Sequence, residues 1–208
     1  KTSSAASLLS DHPAPRGLAV LPSRAARRQF LARLLGDTGG VVGSPALSIE
    51  ELAERTLKDL GLQRINSNQA RLLISRTMRR MEADGRLTLL APSRTGPGTV
   101  AALATLIAEL KWGAVEPAGF AEATCRAMGR RPLQEEIASV YEEYSRRIES
   151  LGLVDSEGRM WLLARSLRDE LPGQLRSLEV AVFDGFRLLT PSQAAIIKAL
   201  DAAGVDVR

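Results

Sequence analysis

A short apolar run, Val180 to Phe183, closes on Asp184 and Gly185, and within a few residues Thr190-Pro191-Ser192-Gln193 opens an apolar helix. Val180, Val182 and Phe183 are the β-branched and aromatic residues of a covered strand. Thr190 is placed to act as N-cap, Pro191 fits the first helical position, and Gln193 can close a capping box back to Thr190. Ile196, Ile197 and Leu200 supply the apolar face, and Gly204 ends the helix before a second strand at 205–207. Strand, helix, strand at this spacing is a βαβ unit, which requires parallel pairing. Ligands of open parallel sheets sit at the carboxyl edge of the strands, where this pattern delivers Asp184.

Two earlier segments read the same way. Gly17 to Leu35 predicts a strand that turns at Pro22-Ser23 into a helix with Phe30, Leu31, Leu34 and Leu35 on one face and Gly36 past its end. Ala46 to Leu60 predicts a helix started by a capping box between Ser48 and Glu51, with Ile49, Leu52, Ala53, Leu57 and Leu60 in one stripe. From Asn66 to Leu178 the pattern changes to successive helices at 69–81, 100–112, 133–151 and 156–171, broken at 91–98 and 115–119. Ile137, Val140, Tyr141, Tyr144, Ile148 and Leu151 share one face of the third. Asp155, just before the last of them, reads as a helix cap rather than a catalytic acid.

The single cysteine, Cys125, leaves no internal disulfide and no zinc or iron–sulfur set, and the lone His12 leaves no Ser-His-Asp or Cys-His constellation. No apolar run approaches the roughly 20 residues that span a bilayer, so no membrane partner is expected. The net charge is +4, modest for 208 residues, and nearly all the basic residues are Arg. The pairs Arg79-Arg80, Arg130-Arg131 and Arg146-Arg147 are where a basic surface would lie. Few aromatics interleave with them, so base stacking is not predicted.

The landmarks resemble superfamily 1 DNA helicases. There the strand after a large helical insertion ends in Asp-Glu, followed by a pattern like QDLTPxQ; here Asp184 matches the Asp, Gly185 stands in the Glu position, and Leu188 to Gln193 reads LLTPSQ. Leu18-Ala19-Val20, Ser23 and Ala25-Ala26 are similar to the strand, hydroxyl turn and helix start that follow the family's phosphate loop. Ser48-Ile49 and Leu52-Ala53-Glu54-Arg55 resemble the family's Thr-Phe and LAxR segment. Leu110 to Phe120 and Leu153 to Ser156 are similar to two segments of the family's helical insertion. The chain opens Lys1-Thr2, which resembles the end of a GxxxxGK[ST] phosphate loop. The variant with DGF followed by TPxQ resembles the AddB family, the B subunits of bacterial AddAB-type helicase-nucleases.

This resemblance implies a P-loop NTPase (RecA-like) α/β sheet core interrupted by an all-helical insertion, with residues 1–65 and 179–208 in the core and 66–178 in the insertion. It implies vestigial nucleotide and Mg²⁺ positions at Lys1, Thr2 and Asp184, and DNA-backbone positions at Ser23, Arg24, Arg27, Arg28 and Ser48. In the family the Asp holds Mg²⁺ and the following Glu orients the water that attacks the γ-phosphate. With Gly185 in that place, the expected function is a non-motor, DNA-holding module of a bacterial, cytoplasmic helicase-nuclease that processes double-strand breaks, paired with a motor subunit. The alternative is an active ATP-dependent lobe with its base supplied from elsewhere. ATP and Mg²⁺ are doubtful cofactors on this reading. A second motor lobe, a nuclease domain and its iron–sulfur cluster are expected outside these residues.

Overall fold

The structure, a computed structural model, describes residues 8–9, 11–40, 43–58, 61–92, 96–169 and 171–208. Lys1, Thr2 and Leu60 lie outside these residues. In chain order the elements are β1 (Gly17–Leu21), α1 (Arg24–Thr38), β2 (Ala46–Ser48), α2 (Ile49–Lys58), β3 (Gln63–Arg64), α3 (Ser67–Ala83), α4 (Pro97–Trp112) and α5 (Pro117–Met128). There follow α6 (Pro132–Ser150), β4 (Leu153–Val154), α7 (Gly158–Asp169), β5 (Val180–Phe183), α8 (Pro191–Ala202) and β6 (Asp206–Val207). They divide into two compact units, Lys1–Gly61 with Arg159–Arg208, and Leu62–Gly158.

The first unit is built on a parallel sheet of order β2-β1-β5-β6. Strand β5, from far along the chain, pairs directly with β1, matching Val20 with Phe183. Both faces of the sheet are covered, and this is why its strands read as continuous apolar runs. Along β1, Leu18 and Val20 join one core while Ala19 and Leu21 join another, the two-residue alternation of a pleated strand. The first core takes Leu52 and Ala53 of α2, Leu163 and Leu167 of α7, and Ile196 and Leu200 of α8. The second takes Phe30 and Leu34 of α1 with Val180 and Val182 of β5. The mixed α/β class with parallel pairing is therefore as expected.

The helix starts follow their local signals. Thr190 and Gln193 form the reciprocal capping box at α8, with Pro191 in the first turn. Ser48 and Glu51 do the same at α2, at 2.9 and 3.1 Å. One boundary is corrected: α1 does not stop before Gly36 but runs to Thr38, and Gly39, at φ +69°, is the left-handed cap whose amide returns to the Leu35 carbonyl. Gly36 is tolerated within the helix because a single glycine costs only about 1 kcal/mol there.

The second unit packs α3, α4 and α6 around Ile74, Met78, Ile107, Val140, Tyr141 and Tyr144, with the short parallel pair β3–β4 joining its two ends. The 115–119 segment, expected as a simple break, leads straight into α5, a helix with no fully buried residue. Beneath the helices lies a buried ionic cluster. Lys111 and Asp155 are 9% and 5% exposed and form an ion pair, Tyr144 donates its hydroxyl to the same Asp155 oxygen at 2.9 Å, and the Lys111 ammonium stands 4.9 Å from the Tyr144 ring centre. The other Asp155 oxygen accepts the Gly158 amide at 2.7 Å, so Asp155 does cap the start of α7 as its position suggested. A β-carbon at 158 would stand 2.5 Å from that oxygen, which leaves glycine as the residue that lets the carboxylate reach the amide. Burial and the negative charge of Asp155 both push the Tyr144 hydroxyl pKa upward, keeping it a neutral donor.

Candidate nucleic-acid interface

Parallel pairing brings the carboxyl ends of β2, β1 and β5 to one edge. Leu21 is in register with Ser48, and Val20 with Phe183. The next residues along each chain are therefore Ile49, Pro22-Ser23 and Asp184-Gly185. The Asp184 amide donates to the Val20 carbonyl at 3.2 Å, which ties the end of β5 to the end of β1. Gly185 takes φ +81°, and a β-carbon placed there would lie 3.5 Å from Pro22 Cδ. Space would admit a side chain; the left-handed backbone is what disfavours one. The turn from Asp184 into α8 then exposes Arg187 and leaves Leu188 90% accessible, while the rings of Phe183 and Phe186 pack with centres 5.9 Å apart, tilted 47° to each other.

The structure gives the other named residues distinct surroundings. Ser23 is exposed and caps α1, its hydroxyl accepting the Ala26 amide at 3.1 Å. Arg24 is 65% exposed and leans toward Glu51 and Glu54 at 3.7 and 3.4 Å. Arg27 is built into the fold: its Nε donates to the Ala46 carbonyl at 2.9 Å and its terminal nitrogen to Glu51 at 2.9 Å, clamping α1 against β2 and α2. Arg28 is exposed and has no partner among the described residues. Ser48 is fully buried with its hydroxyl committed to the Glu51 amide.

Glu51 is the residue sequence reading undervalued. Burial works against its charged form, but the hydrogen bonds from Ser48 and the guanidiniums of Arg27 and Arg24 outweigh that and hold its carboxyl below the ordinary range. It organises the edge by fixing Arg27 and drawing in Arg24. The only advance signal was its place in the capping box. A cleft of about 260 Å³, lined by Gly17, Leu18, Leu47, Leu52 and Thr56, opens at the amino end of β1 instead and takes no part in this edge. Among the described residues, no three His, Cys, Asp or Glu side chains form a group that could hold a metal ion.

Set beside known families, residues 28–208 match the model of the AddB N-terminal domain. The chain belongs to the AddB family. No curated protein matches it. The match takes in α1 from Arg28 onward, β2, both parts of the edge that end in Ser48 and Asp184, and the whole helical unit. AddB is the B subunit of the AddAB helicase-nuclease of DNA repair and recombination, so membership ties this chain to AddA and to DNA. Ser23, Arg24 and Arg27 precede the matched stretch. No single helix among the described residues is long and apolar enough to cross a membrane.

Proposed function

We propose that this AddB chain is a non-motor, RecA-like lobe that holds one DNA strand along the carboxyl edge of its sheet, while AddA supplies the ATP-driven movement. The observation that carries the reading is the Asp184-Gly185 pair. Where a working superfamily 1 motor needs a second carboxylate beside the Mg²⁺ ligand, this chain has a glycine in a left-handed conformation. The residues present do not fit a hydrolytic Mg²⁺–nucleotide site.

Exposed Arg24 and Arg28, beside the exposed Ser23 hydroxyl, are the phosphate contacts on this reading. Arg27 and Ser48, expected beside them, serve the fold: the first is held by Glu51 and Ala46, and the second has no surface to offer. Such contacts are sequence-independent and salt-sensitive. The helical unit, running in sequence between the two stretches of the sheet unit, is the counterpart of the family's insertion. The setting is the bacterial cytoplasm, at a DNA end being processed for recombination.

The test is ATP turnover by the assembled AddAB complex with Asp184→Ala in this chain. Unchanged turnover on DNA is expected. A fall of tenfold or more, about 1.4 kcal/mol in the barrier, would restore the motor reading.

A further inference from the structure

Of the three arginine pairs singled out in the sequence, Arg146-Arg147 and one member of Arg79-Arg80 come together in the helical unit. Arg80, near the end of α3, and Arg146 and Arg147, near the end of α6, line one open cleft of about 430 Å³ with Arg86. Four guanidiniums there stand against two carboxylates, Asp84 and Glu143. Glu143 is mostly covered, and it pairs with both Arg86, at 3.1 Å, and Arg146. That arrangement fixes two of the cations in place. Arg80 and Arg147 have no acidic partner among the described residues. A cation near a helix C-terminus complements the helix dipole, which accounts for each of these arginines singly. It does not account for four converging on one cleft.

We infer that this cleft is a second DNA contact, one that binds the phosphate backbone of a duplex segment through Arg80, Arg147 and the Glu143-held Arg86 and Arg146. The inference rests on the DNA-holding reading above. Duplex is favoured over single strand because the cleft offers charge and no aromatic ring: its remaining lining is Ser150 and Leu151. Holding an unstacked base calls for a stacking surface, whereas a duplex backbone needs only neutralised phosphates.

The experiment measures affinity of the full chain for a short blunt duplex and for a single strand of unrelated sequence across a salt series. The variants are Arg80→Gln with Arg147→Gln, and Arg24→Gln with Arg28→Gln. The first pair is expected to lower the salt slope for duplex by about 2, to weaken duplex binding about tenfold or more in low salt, and to leave single-strand binding unchanged. Arg80→Lys with Arg147→Lys should recover the slope, since charge is what the contact uses. A duplex slope unchanged by the first pair, with single-strand binding still weakened by the second, would overturn the cleft and leave the strand-holding edge standing. Equal loss with both probes together with a lowered melting temperature would also overturn it, by placing these arginines in the fold. Absence of any DNA binding by the unaltered chain would overturn both readings.

Discussion

Glycine 185 decides more about this chain than any charged residue. Its φ of +81° means that restoring the missing carboxylate, Gly185→Glu, forces a left-handed backbone on an L side chain at a cost of about 1–2 kcal/mol. That variant is expected to melt earlier and to release no more phosphate from ATP than the parent, which a melt and a phosphate-release assay would check together. In the helical unit, Lys111 and Asp155 are both buried and paired, so removing either strands the other. Lys111→Met or Asp155→Asn should cost about 3–5 kcal/mol in urea unfolding, and Tyr144→Phe, which deletes one hydrogen bond to a charged group, about 1.5–3 kcal/mol. Glu136 sets a pH dependence. Burial opposes its charge, but the Thr88 hydroxyl and the amides of Leu90, Leu89 and Thr88 bring its carboxyl down to about 2 from 4.5. A lowered folded pKa stabilises fully above the unfolded value and is lost as pH falls from about 4.5 toward 2. Glu136→Gln should therefore flatten the stability profile in that window and leave its shape at neutral pH unchanged. Asp155 could be read in the sequence as a cap, but its partnership with Lys111, 44 residues away, could not. Local signals report local hydrogen bonds, and a buried ion pair between distant segments leaves no periodic trace.

At the scale of elements, the best-read pieces were those whose ends carry their own chemistry. The capping boxes at Thr190 and Ser48 lie where Ser/Thr is followed by Gln or Glu three residues on, and both boxes form. Thr190→Ala is expected to cost about 1 kcal/mol, seen as an earlier melt of the sheet unit. The strands β1 and β5 were legible because both faces are covered, which makes them unbroken apolar runs. Helix α5 was not, and none of its residues is fully buried. Its Pro117 start signal read equally well as a break. Strands β3 and β4 are two residues each, too short for any alternation to register. Helix α7 has an ordinary amphipathic pattern, yet nothing in that pattern says which core receives it. The structure puts Leu163, Ala164 and Leu167 into the core beneath the sheet.

For the whole molecule, two units with separate cores imply two separable sources of stability. Leu163→Ala, at a site with no exposure in the sheet unit, should cost about 2–5 kcal/mol, and the same holds for Ile74→Ala in the helical unit. Function, as proposed, divides differently: an arginine edge on the sheet for a single strand, and an arginine cleft on the helices for a duplex. In the proposed function, this AddB lobe holds DNA without using ATP. The most direct test is the affinity of the chain for single-stranded DNA across a salt series, with and without ATP and Mg²⁺. Binding that weakens with salt, ignores nucleotide and falls when Arg24 and Arg28 are neutralised is the predicted result. Affinity that changes tenfold on adding ATP and Mg²⁺ would contradict it.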